Sequence, residues 1–88
     1  DLEKFVCLRL AREAAEQGGT APAILNAANE IAVAGFLAGR TGFLQKARII
    51  ERTLVQLPAV GADRLVIVLD ADRRAREIAS HWLAQETR

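Results

Sequence analysis

The sequence predicts an all-α protein: an antiparallel four-helix bundle forming a single small domain over residues 1–88. Three observations carry this. Apolar residues recur at three- and four-residue spacing in four successive segments, the signature of helices with one buried face. The segments are separated by helix stops, Gly18-Gly19, Gly39-Arg40-Thr41-Gly42 and Pro58. Connections this short join antiparallel partners. Composition adds a constraint on packing: hydrophobic content is 51% but aromatic content only 5%, and there are seventeen alanines. The core is therefore aliphatic, and the helices can approach closely.

The first helix spans Leu2 to Gln17. Arg9, Arg12, Glu13 and Glu16 form its polar face, with Cys7, Leu10, Ala11 and Ala14 opposite. Arg9–Glu13 and Arg12–Glu16 are spaced to pair at i, i+4. Gly18-Gly19 stops it, and Thr20 stands as N-cap of a second helix running to Gly39, with Pro22 in the first turn, where a missing N–H costs nothing. The third runs from Phe43 or Leu44 to Leu57. Its seam is Phe43, Ala47, Ile50, Leu54 and Leu57, and Arg48, Glu51 and Arg52 mark the wet side. Pro58 to Ala62 forms a loop.

The last segment contains a conflict. Leu65-Val66-Ile67-Val68-Leu69 is aliphatic and partly β-branched, and reads locally as a buried strand. Two points favour helix. Asp63 offers an N-cap, and the run continues without a breaker into a helical pattern ending at Gln85. There Asp70, Arg73, Arg74, Glu77 and His81 form a polar face, and Val68, Ala71, Ala75, Ile78 and Trp82 a seam. Asp70–Arg74 and Asp72–Arg76 lie acid-first at i, i+4, the favoured order. A lone strand would also have no partner in the chain.

A net charge of +1, with acids and bases alternating and no aromatic interleaving, argues against a nucleic-acid or membrane-surface partner. The longest apolar window carries Asn26, Asn29 and Glu30, which argues against a membrane span. A single histidine, His81, and a single cysteine, Cys7, leave no zinc-ligand spacing. His81 reads as an exposed surface side chain and Cys7 as a buried inert thiol. Asp70-x-Asp72 places its carboxylates about 200° apart on a helix, and each has its own arginine four residues on, so a salt-bridged surface is expected. Neither glycine cluster sits in a strand–turn–helix phosphate loop. No catalytic, cofactor-binding or metal-binding residue is assigned. The chain begins Asp-Leu-Glu-Lys and has no methionine, which suggests a piece of a longer protein.

What remains is the second helix, apolar almost all round and expected to be buried on most faces. Asn26, Asn29 and Glu30 share one face at i, i+3 and i+4. A buried polar group without a partner costs about 1–3 kcal/mol, so the triplet needs partners. Two readings stay open: it braces a neighbouring helix inside the bundle, or it faces a second domain or ligand. The face continues as Val33 and Leu37.

Read together, Cys7-Leu-Arg-Leu-Ala-Arg-Glu-Ala14, Gly18 to Leu44 with its Asn26-Ala-Ala-Asn29-Glu30, and Leu69 to Ala79 with Asp72 and Ala75-Arg76 resemble the C-terminal helical domain of the 1-deoxy-D-xylulose 5-phosphate reductoisomerase family. The resemblance runs the length of the chain. It departs at Val6, where the family commonly has proline, and at Val66-Ile67-Val68, which is unusually β-branched. It implies a parent enzyme with an NADPH-binding domain and a catalytic domain upstream. That enzyme would use NADPH and Mg²⁺ or Mn²⁺ to convert 1-deoxy-D-xylulose 5-phosphate to 2-C-methyl-D-erythritol 4-phosphate in non-mevalonate isoprenoid synthesis. It would be a cytoplasmic bacterial homodimer. The family's metal- and phosphate-binding residues belong to the catalytic domain and match no position here. The expected role is structural support of that missing domain, with the fragment inactive alone. The alternative is a stand-alone helical protein-interaction module.

Overall fold

The computed structural model describes residues 2–86, with side chains described for all of these except Leu2, Glu3 and Phe43. Four helices follow in order: α1 (Leu2–Gln17), α2 (Ala21–Leu37), α3 (Phe43–Gln56) and α4 (Leu65–Glu86). No strand occurs among the described residues. The aliphatic run at 65–69 is the first turn of α4, as its continuity with the downstream pattern required.

Consecutive helices reverse direction, but α2 and α4 are direct neighbours and run the same way. Ile24 and Ala27 pack with Ala71 and Ala75, Glu30 meets Arg76, and Gly35 lies against Leu83. The partners climb both helices together, so the two axes are parallel. α2 touches all three other helices, whereas among the described residues α1 and α4 are not in contact. The facing residues explain the close approach. Ala27 and Ala75 are fully buried, and a Cβ at Gly35 would stand 2.5 Å from Leu83 Cδ1. Small side chains let helix axes come together where leucines would hold them apart.

The core has two parts. Leu10, Ala28, Ala32, Ile49, Ile50, Ala79 and Leu83 form the larger. Ile24, Ala27, Ala71 and Ala75, with Leu54 and Leu57 against them, form the smaller. The expected seam of α3 holds at Ala47 and Ile50, with Leu54 and Leu57 half-buried; the Phe43 side chain lies outside the described residues. That seam is too narrow. Ile49 and Thr53 are fully buried as well, and the Thr53 hydroxyl is satisfied by donating to the Ile49 carbonyl at 2.8 Å. On α1, Leu10 and Ala14 are buried and Cys7 is half-buried, whereas Ala11 is exposed. Arg9–Glu13 forms at 3.1 Å, and Arg9 also reaches Glu51 of α3 at 2.9 Å. No Arg12–Glu16 pair is found among the described residues.

Two expected helix starts differ. Thr20 does not cap α2 with its side chain. It takes helical angles itself, and its hydroxyl accepts from the Val60 N–H at 2.9 Å while its own N–H donates to the Val60 carbonyl at 2.8 Å. A cross-chain partner outcompetes the local cap, so Thr20 fastens the α3–α4 loop to the start of α2. Gly19, at φ +57°, lies beneath that loop, and any Cβ there would collide with the Val60 carbonyl oxygen. Asp63 does not open α4 either. The Arg64 carbonyl accepts the first helical bonds, from the Ile67 and Val68 N–H groups.

Candidate functional site

α2 is covered on most of its circumference, as expected, but one side of it is left open. Ala21, Ile24, Ala27, Ala28, Ala32 and Gly35 are buried, but Asn26, Asn29 and Glu30 are all exposed. Alanine makes the difference: its methyl adds little apolar surface, so an alanine-rich helix can leave one side in water at small cost. The polar triplet lies on that open side, with Val33 half-buried and Leu37 exposed above it.

Part of the triplet is an internal brace. Asn26 Nδ2 donates to Glu30 Oε2 at 3.0 Å. Glu30 Oε1 accepts from an Arg76 terminal nitrogen at 3.1 Å, and Arg76 Nε donates to Asp72 Oδ2 at 2.9 Å. One guanidinium thus ties α4 to α2, using its fork of donors on two carboxylates. These bonds raise the Arg76 pKa above its ordinary value, Asp72 contributing most and Glu30 next. The spacing of Asp72 and Arg76 is legible in the sequence; the bond to Glu30 is not, because 46 residues separate the two.

Asn29 points elsewhere. No hydrogen bond of its side chain is found among the described residues. With Asn26 it borders a groove of about 320 Å³ between α1 and α2, whose other walls include Cys7, Leu10, Ala14 and Leu25. The groove is largely apolar and carries no cationic group.

The remaining candidates are accounted for locally. Asp70 pairs with Arg73 at 2.8 Å and with Arg74 at 2.9 Å. His81 is exposed, its ring edge-on to Trp82 at 5.1 Å. Trp82 donates to Gln56 at 3.1 Å and stacks under Arg52, which also pairs with Glu86. Among the described residues no three His, Cys, Asp or Glu side chains converge as a metal site would require, and the α4 carboxylates are engaged by arginines. These residues do not fit a divalent cation. No helix among them is long and apolar enough to cross a membrane.

The two most distinctive pieces of the sequence, Asn26–Glu30 and Asp72 with Arg76, thus meet in one cluster. The family described as the DXP reductoisomerase C-terminal domain matches residues 1–78. The chain belongs to that family. Its relatives include 1-deoxy-D-xylulose 5-phosphate reductoisomerases of Pseudomonas fluorescens (strain Pf0-1), 54% identical over all 88 residues, and of Ectopseudomonas mendocina (strain ymp), 54% identical over 85 residues or 97% of the chain. A third, from Pseudomonas putida (strain F1), is 51% identical over 88 residues. In each case the chain spans 22% of the relative's length. As a DXP reductoisomerase C-terminal domain, the chain corresponds to the helical tail of an enzyme. The match does not favour the stand-alone module.

Proposed function

We propose that this chain is the supporting domain of a bacterial DXP reductoisomerase, placed after an NADPH-binding domain and a catalytic domain in one polypeptide over which residues 1–88 form the terminal bundle. The complete enzyme would convert 1-deoxy-D-xylulose 5-phosphate to 2-C-methyl-D-erythritol 4-phosphate with NADPH and Mg²⁺ or Mn²⁺, as a cytoplasmic homodimer. The observation that carries this is the match of the whole chain to about a fifth of enzymes bearing that name. Among the described residues no three His, Cys, Asp or Glu side chains converge for the cation, and we assign no step of the reaction to this domain. Its contribution is to hold a surface in place.

Asn26, Asn29 and Glu30 are the residues we assign to that surface. Asn29 supports the assignment best: it is exposed and leaves its amide available to a partner beyond the bundle. In the full-length enzyme, Asn29→Ala is expected to lower the melting temperature or the turnover. If both stay at wild-type values, the assignment is wrong. A separate assay tests the inactivity of the fragment. NADPH oxidation by the 88-residue chain with substrate and Mg²⁺ would show that it carries a site of its own.

A further inference from the structure

The open side of α2 does not end at the polar triplet. On α4, Leu65, Leu69, Asp72 and Arg76 follow one another at four-, three- and four-residue spacing, which places them on one stripe. Arg76 points across to Glu30, so this stripe adjoins the exposed ridge of α2. Leu65 is 71% exposed and Leu69 58%, and Val66 beside them is 64% exposed. At the other end of the ridge Leu37 is 78% exposed. α2 and α4 run parallel, so the combined surface is apolar at one end, charged and internally hydrogen-bonded in the middle, and apolar again at the far end.

Helix propensity does not explain this arrangement. Leucine is a good helix former, but propensity gives no reason to place large apolar side chains in water, and the β-branched Val66 is less favourable than they are at an exposed helical position. A contact partner explains it. The polar middle is also prepared for burial: Asn26, Glu30, Arg76 and Asp72 already satisfy one another, so covering them leaves fewer unpaired charges.

We propose that this α2–α4 face is the docking surface for the upstream part of the same polypeptide. The inference rests on the reading of the chain as one domain of a reductoisomerase. Two observations choose the occupant. Relatives are about five times the length of this chain, so most of such a polypeptide lies outside the structure. The apolar part of the face is also small. Its large apolar side chains are four, split between the two ends of a charged middle, so the face lacks the continuous apolar centre of a stable two-chain interface. A tethered domain needs less, because the linker supplies a high effective concentration.

The test is thiol labelling of the full-length enzyme, read by peptide mass. Leu65→Cys, Leu69→Cys and Leu37→Cys are compared with Val55→Cys on α3, which is 77% exposed in this domain. Substitution at exposed positions leaves the fold intact, and Val66→Cys serves as a second reporter if one variant does not fold. The expected result is labelling at least tenfold slower at positions 65, 69 and 37 than at 55, unchanged on dilution. Rates within twofold of position 55 overturn the proposal. So does protection that disappears on dilution, which would assign the face to a second copy of the enzyme. Truncating the full-length enzyme before Asp1 separates the two readings. Free labelling together with lost activity on truncation refutes the docking face alone, whereas unimpaired activity on truncation refutes the supporting role itself.

Discussion

Thr20 engages both main-chain polar groups of Val60. The Thr20 N–H donates to the Val60 carbonyl and the Thr20 hydroxyl accepts from the Val60 N–H, at 2.8 and 2.9 Å. Thr20 is fully buried. Thr20→Val keeps the volume and removes the acceptor. It should destabilise the chain by about 1–3 kcal/mol, because the Val60 N–H is left without a partner in a half-buried place. Urea unfolding measures this; a change below about 0.5 kcal/mol would mean that water replaces the hydroxyl.

The glycines beneath the loop separate two effects. Gly18 and Gly19 both have positive φ, but a Cβ at Gly18 meets nothing within 4 Å, while one at Gly19 strikes the Val60 carbonyl. Gly18→Ala should cost only the left-handed penalty of about 1–2 kcal/mol. Gly19→Ala should cost more and should expose the Val60 amide to hydrogen exchange. Equal losses at the two positions would show that the loop moves away freely.

The close approach of α2 and α4 is open to a double-mutant cycle. Gly35→Ala places a methyl against Leu83 and should destabilise by about 1–3 kcal/mol through overpacking, offset by up to about 1 kcal/mol of helix propensity. In a Leu83→Ala background the clash is gone and the same substitution should be neutral or stabilising. Additive effects would place the strain elsewhere.

Burial along α3 predicts a sharp contrast. Ile49 is fully buried, and Ile49→Ala should cost about 2–5 kcal/mol. Val55, 77% exposed six residues on, should tolerate alanine within about 0.5 kcal/mol. Thermal or urea unfolding of the two variants is sufficient.

The Arg76 cluster predicts coupling between distant residues. Glu30→Ala and Arg76→Ala should be non-additive, with the coupling reduced in high salt because both groups are partly exposed. The Arg76 pKa is raised, so its contribution is complete below the ordinary arginine value and is lost only as pH rises through the raised one. The coupling should therefore be insensitive to arginine titration near neutrality. Strict additivity at low salt would remove the pair as a tie between helices.

The sequence by itself determined the four helices, their stops and the family. Glycine and proline stops, helical periodicity and acid-first pairs are local, and local signals act within a few residues along the chain. They correctly made a helix of Leu65 to Leu69, and they foresaw Asp70–Arg74 and Asp72–Arg76. Only the tertiary structure decided which apolar residues are covered and which partners distant polar groups find. Ile49 and Thr53 entered the core because α3 is enclosed more widely than one seam, and Leu65 and Leu69 stayed outside because they lie on the side of α4 that the bundle leaves open, while Ile67 and Val68 of the same run are half-buried. Thr20 took Val60 instead of its own helix start, and Glu30 took Arg76. Burial and long-range hydrogen bonding depend on where the chain returns in space, and residues 40 or more positions apart carry no mark of that meeting in their neighbours.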